Sequence, residues 1–210
     1  MRIAVYSGSF NPLHIGHLAI MKHLTYDDGF DMVYLIVSPK NPLKQGISAD
    51  TGWARYHAAR RAVKRHPELQ VWVDDIELMM PPPQYTIRTL DALRQREPKN
   101  QFTLVIGADN LENIHRWRDF QRILCEYGVA VYPRKGFDIG ALKKQLQEES
   151  LAGSSAHVLD YQNHNGMNNL NDHLRSAYKI DLLDAPLVEI SSTEIREGFS
   201  EGKDMSEWLM

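Results

Sequence analysis

The sequence predicts an α/β fold, an open Rossmann-like parallel sheet with helices on both faces. Short β-rich runs recur at Ile3-Ala4-Val5-Tyr6, Met32-Val33-Tyr34-Leu35-Ile36-Val37, Phe102-Thr103-Leu104-Val105-Ile106 and Val129-Ala130-Val131-Tyr132. They are apolar almost throughout rather than alternating, as strands covered on both faces are. Turn residues close the runs, and segments of helical periodicity separate them. Strands alternating with helices in this way build parallel units, and right-handed crossovers set the strand-end turns along one rim.

The elements follow in order. The first run is a strand stopped by Ser7-Gly8, and Leu18, Ile20, Met21 and Leu24 then recur at helical spacing, so a helix begins near His14. The second run is a strand followed by a turn-rich loop over 38–46. Residues 52–65 are helical, with Tyr56, Ala59 and Val63 facing inward. Arg55, Arg60, Arg61, Lys64 and Arg65 form an outer basic stripe, read as a solvated face. His66-Pro67 ends that helix. A third strand begins at Val71-Trp72-Val73 and is expected to run on through Asp74, Asp75, Ile76, Glu77 and Leu78. Pro81-Pro82-Pro83 is a stiff connector into a helix over 86–96 with Ile87, Leu90 and Leu93 on one face. After the fourth strand come the turn Gly107-Ala108-Asp109-Asn110 and broken helix over 111–125. A polar helix over 139–150 follows the fifth strand. A short strand is expected over 179–183, and Ser191 opens the last helix. Residues 152–178 are polar and rich in asparagine, at Asn163, Asn165, Asn168, Asn169 and Asn171. They read as a surface insertion with a short helix over 173–178 in a single domain spanning 1–210.

A formal net charge of −3 argues against a general nucleic-acid or anionic-membrane binder. The single cysteine, Cys125, allows no intramolecular disulfide and fits a reducing cytoplasm. No apolar run approaches a membrane span, and Met1-Arg2 leads into a strand without a signal peptide. Self-association stays open. A zinc site from His157, His164 and His173 has no common ligand spacing and no cysteine partners. Hydride transfer would want three spaced glycines after the first strand, where only Gly8 and Gly16 stand.

The decisive stretch is Gly8-Ser9-Phe10-Asn11-Pro12-Leu13-His14-Ile15-Gly16-His17, the turn from first strand to first helix. Such a turn lies at the carboxyl end of the sheet, where ligands bind. Gly8 admits a close approach, Ser9 offers a hydroxyl, and Pro12 stiffens the turn. His14 and His17 fall three apart on one face, with Gly16 leaving room for a flat group. Helix-start amides and two imidazoles suit phosphate. The competing reading is a pair of ordinary satisfied histidines beside a loop proline.

The stretch resembles the nucleotidyltransferase pattern (S/T)-F-(D/N)-P-x-H-x-G-H, whose histidines hold ATP phosphates. It also spells the H-I-G-H of class I tRNA synthetases, but no K-M-S-K-S-like loop follows. Ile190-Ser191-Ser192-Thr193-Glu194-Ile195-Arg196 resembles the C-terminal I-S-(S/A)-T-x-I-R motif of nicotinate mononucleotide adenylyltransferases. Ser191 and Glu194 also have capping-box spacing, a complete structural account of those two. Gly107-Ala108-Asp109-Asn110-Leu111 with Trp117, and Pro83-Gln84-Tyr85-Thr86-Ile87-Arg88-Thr89-Leu90, resemble two further stretches of that family.

The resemblance implies adenylyl transfer from ATP to nicotinate mononucleotide, with Mg²⁺ carried mainly by substrate phosphates and no protein metal site. It implies His14, His17, Lys44 and Arg196 as catalytic. Gly8, Ser9, Phe10, Asn11, Gly16, Gly107, Asp109, Arg134, Ser191, Ser192 and Thr193 join them around ATP. Tyr85, Thr86, Asn110 and Trp117 fall to the nicotinate side. Either Lys44 or Lys40 would serve the phosphates from the second-strand loop, where Asn41-Pro42-Leu43-Lys44 departs from the family's usual P-P-H-K. Ser7 and Asn11 stand where glycine and aspartate are frequent. The competing activities are transfer to nicotinamide mononucleotide or phosphopantetheine, and a non-catalytic nucleotide binder on the same fold.

Overall fold

The computed structural model describes residues 1–39, 50–160 and 178–210. Strands β1 (Arg2–Gly8), β2 (Met32–Val37), β3 (Val71–Asp74), β4 (Gln101–Gly107), β5 (Val129–Tyr132) and β6 (Ile180–Leu182) form one sheet. They lie in the order 3-2-1-4-5-6 with every neighbouring pair parallel. The helices are α1 (Ile15–Tyr26), α2 (Asp50–Lys64), α3 (Ile76–Met79), α4 (Thr86–Arg96), α5 (Ala108–Glu112), α6 (Phe120–Arg122), α7 (Ile139–Asp160) and α8 (Ser192–Ser200).

Alternation along each strand divides the core. Ala4 and Tyr6 of β1 face a layer containing Ile20, Met21 and Leu24 of α1 and Tyr56, Ala59 and Ala62 of α2. Ile3 and Val5 face the other layer, with Ile87, Leu90 and Leu93 of α4, Leu111 of α5 and Leu146 of α7. Both faces are dry, which is why the strand runs are apolar throughout. The chain steps outward from β1 to β3 and then returns to lay β4 against the other side of β1. The order reverses there, opening a crevice beyond the carboxyl ends of β1 and β4.

Three expectations need correction. β3 stops at Asp74 instead of continuing to Leu78. The Asp74 carboxylate accepts the Ile76 amide at 2.9 Å and two Arg96 nitrogens at 3.2 and 2.6 Å, and this turns the chain into α3. The polar helix expected over 139–150 runs on to Asp160 and so takes up the start of the asparagine-rich segment. The solvated-face reading holds for Arg60, Arg61, Lys64 and Arg65 but fails for Arg55, which is 5% exposed. Lys40, Lys44 and residues 161–177 lie outside the described residues, and with them most of the short helix expected over 173–178. Among the described residues, no helix is long and apolar enough to cross a membrane.

Candidate active site

The β1–α1 turn is held from behind. The Arg55 guanidinium donates to the carbonyls of Ser9 at 2.5 Å and Pro39 at 3.0 Å, joining the turns that follow β1 and β2. Phe10 takes a left-handed φ of 44°, which is sparsely populated for a bulky residue. Its ring, 5% exposed, packs 5.4 Å from Tyr6 and 5.1 Å from His17. A Cβ on Gly8 would sit 3.1 Å from that ring, so glycine is what lets the ring fold back over the strand end.

His14 is the N-cap of α1 and His17 its third residue, and they cap the helix reciprocally. His14 Nδ1 accepts the Gly16 amide at 3.2 Å, and His17 Nδ1 accepts the His14 amide at 3.1 Å. An accepting Nδ1 puts the proton of the neutral ring on Nε2. Both rings therefore carry an Nε2–H donor, and both line the crevice. The ring centroids are 3.7 Å apart. Gly16 makes the close packing possible, since a Cβ there would lie 3.0 Å from the His14 ring. The flat group it accommodates is the imidazole of His14.

Burial first, and then the Arg134 charge, lower the His14 pKa to about 4, against a smaller opposing effect of Glu194. Burial, His14 and Arg134 hold His17 well below the usual imidazole range. Folding thus favours the uncharged rings. Below about 6.5 an unfolded chain binds protons that the folded one refuses, so stability is complete above that pH and falls as pH drops towards about 4. Melting temperature measured from about pH 7 to about pH 5 should fall more steeply for the protein than for its His17→Asn variant. Parallel slopes would rule out this source.

The last motif reaches the same place. Ser191 caps α8, its Oγ accepting the Glu194 amide at 3.2 Å while the Glu194 carboxylate accepts the Ser191 amide at 2.8 Å. Ser192 Oγ donates to the Pro12 carbonyl at 3.0 Å. Arg196 donates to the Asn11 carbonyl at 2.7 Å, to the Ser192 carbonyl at 3.0 Å and to Thr193 Oγ1 at 3.0 Å. An antiparallel bridge between Leu209 and His14 adds a further tie. The serine hydroxyls thus serve the protein's own turns, and the amides that begin α8 are the groups an anion would meet.

Beyond β4 and β5, the Arg134 guanidinium lies over the Tyr132 ring at 5.1 Å and 3.7 Å from the Asp109 carboxylate. Burial by itself would lower its pKa, but Tyr132, Asp109 and Tyr6 outweigh that and raise it, so the cation is secure. Tyr85 precedes α4, and Thr86 is its first residue; no side chain caps that helix start. Trp117 closes a 3₁₀ turn over Ile114–Arg116 and packs partly against the core.

These parts wall one cavity of about 690 Å³. Of the residues expected at the site, Gly8, Ser9, Phe10, Asn11, His14, His17, Tyr85, Thr86, Asp109, Asn110, Trp117, Arg134, Ser191, Ser192, Thr193 and Arg196 line it. Gly16 and Gly107 stand behind the lining, where each keeps space for a neighbour: Gly16 for His14, Gly107 for the Asp109 carboxylate and the Tyr132 ring. The lining also contains Tyr6, Ser38, Glu77, Arg116, Arg118 and Tyr132, which no sequence motif singles out. Tyr6 and Tyr132 look like strand core in the sequence, and only their positions at the strand ends could have marked them.

Residues 5–198 match the cytidylyltransferase-like family. A Flavobacterium psychrophilum protein named "probable nicotinate-nucleotide adenylyltransferase" is 34% identical over 100% of this chain and 92% of its own length. A Bacteroides fragilis protein of the same name is 35% identical over 99% of this chain and 87% of its own. The chain belongs to the nicotinate-nucleotide adenylyltransferase family. The solved structure of Plasmodium falciparum nicotinic acid mononucleotide adenylyltransferase complexed with NaAD is 15% identical, with a TM-score of 0.67 over 98% of this chain and 87% of that one. The same enzyme complexed with APC gives 14% and 0.64 over the same shares. At these identities the structural likeness concerns the fold, and it places this adenylyltransferase-family chain in the same doubly wound architecture.

Proposed function

We propose that the protein transfers the adenylyl group of ATP to nicotinate mononucleotide, giving nicotinate adenine dinucleotide and pyrophosphate, a step of NAD synthesis. The observation that carries this reading is the convergence of the α1 histidines, the start of α8 with Arg196, and the Thr86–Trp117 wall on one cavity. A phosphate oxygen of the mononucleotide attacks the α-phosphorus of ATP. The new P–O bond forms as the bond to the pyrophosphate oxygen breaks, so no protein nucleophile is needed. ATP enters as its Mg²⁺ complex.

In this reading the Nε2–H groups of His14 and His17 donate to the phosphates as charge grows on them. Arg196 and the first amides of α8 grip the departing pyrophosphate, and Arg134 adds positive charge from the β5 side. Trp117 offers an aromatic face to the electron-poor pyridinium ring, and the uncapped start of α4 offers amides to its carboxylate. Lys44 is proposed as a further phosphate contact from its loop. A reducing cytoplasm is the proposed setting.

The test incubates the protein with MgATP and, separately, nicotinate mononucleotide, nicotinamide mononucleotide or phosphopantetheine, and quantifies pyrophosphate. The expected result is release with the first acceptor at a kcat/KM at least about tenfold above the others. Preference for another acceptor would reassign the substrate. ATP binding without release with any acceptor would leave a nucleotide-binding protein.

A further inference from the structure

Glu77 is 2% exposed, yet it lies in the wall of the cavity. Its carboxylate accepts three hydroxyl hydrogen bonds. Thr89 Oγ1 donates to Oε1 at 2.9 Å, Ser7 Oγ donates to the same oxygen at 3.4 Å, and Ser38 Oγ donates to Oε2. No basic side chain pairs with it among the described residues. A buried carboxylate without a cation is costly, so its hydroxyl partners matter. Burial pushes its pKa up while Ser38, Thr89 and Ser7 hold it back.

Each hydroxyl comes from a different segment of the chain. Ser7 lies in β1 immediately before Gly8, and Ser38 follows the end of β2. Thr89 is 1% exposed and sits in α4, one turn beyond Thr86. We infer that Glu77 is a positioning residue for the acceptor nucleotide. Through Thr89 and Ser7 it fixes the start of α4 against the end of β1, setting the distance between the ring wall and the phosphate turn. It does this without touching the reacting atoms. The inference rests on the reading of this cavity as the site for ATP and nicotinate mononucleotide.

The effect is asymmetric. The phosphate grip is assembled through the Ser192–Pro12 and Arg196–Asn11 hydrogen bonds, none of which involves Glu77. The start of α4 carries no side-chain cap, so Thr89 on Glu77 supplies an anchor in its first turns. Loosening it should weaken binding of the mononucleotide while the ATP subsite keeps its geometry.

Steady-state kinetics on the full chain, with each substrate varied in turn, test this. Wild-type turnover with nicotinate mononucleotide comes first. If that fails, the functional reading fails, independently of anything said of Glu77. With turnover in hand, Glu77→Ala should raise KM for the mononucleotide about tenfold and KM for ATP less than about twofold. Thr89→Val, near-isosteric but without the hydroxyl, should move the same KM by roughly threefold. The double variant should be little worse than Glu77→Ala, because both break one link. Glu77→Gln should recover most of the loss, its amide oxygen accepting from Thr89 and Ser7 while its NH₂ donates to Ser38. Equal shifts in both KM values, or an unchanged mononucleotide KM in Thr89→Val, would overturn the inference. Should Glu77→Ala fail to fold, the KM values of Thr89→Val and Glu77→Gln still support or overturn it.

Discussion

Replacing His17 by alanine is expected to lower kcat for pyrophosphate release by about 10²–10⁴-fold with the sheet intact. The proposed reaction has no covalent intermediate, so its rate depends on donors already aimed at the phosphates. The Nε2–H of His17 is such a donor, oriented by the bond that Nδ1 accepts from the His14 amide. Alanine removes both the donor and one half of the helix cap. His17→Asn separates the two, since its amide oxygen can still accept the His14 amide while nothing replaces the ε donor. The asparagine variant should keep the native melting temperature near neutral pH and lose nearly as much kcat as the alanine variant. Wild-type turnover in either variant would remove His17 from the mechanism.

Arg196→Ala is expected to reduce kcat/KM for ATP by about 10²-fold, the scale of a lost charge-assisted grip on phosphate. The guanidinium holds the Asn11 carbonyl and Thr193 Oγ1 through two different nitrogens, so its fork fixes the approach of α8 to the first turn as well as supplying charge. Lysine keeps the charge and loses the fork, and Arg196→Lys should therefore recover only part of the loss. Arg196 is exposed, so neither variant should unfold the protein. Kinetics with ATP varied at saturating mononucleotide measure this, and full recovery by lysine would mean that the fork geometry contributes nothing.

The strands were legible because both faces of the sheet are dry, leaving apolar runs that few other structures produce. Met32–Val37, Val129–Tyr132 and Thr86–Arg96 fall where the sequence placed them. Charged residues whose partners are remote in the chain were not legible. Nothing local marks Asp74 as the last residue of β3 until Arg96 is seen to cross back to it. Arg55 belongs, by spacing, to a solvated stripe, and only the folded turns after β1 and β2 supply the carbonyls that bury it. Glu77 follows the same logic, its three hydroxyls arriving from three separate segments. The site motifs were readable as local signatures. The reciprocal histidine cap was not, because capping by an imidazole has no common sequence mark.

Asn11 and Arg196 are 185 positions apart and yet share a hydrogen bond in the cavity lining. A ribosome therefore finishes the six described strands of the sheet before it releases the residues that would complete the proposed triphosphate grip. A nascent protein halted after β6 would own a nearly whole core and still lack the α8 side of the proposed ATP site. In the proposed reading, the full grip on a nucleotide thus waits until synthesis has run past the start of α8.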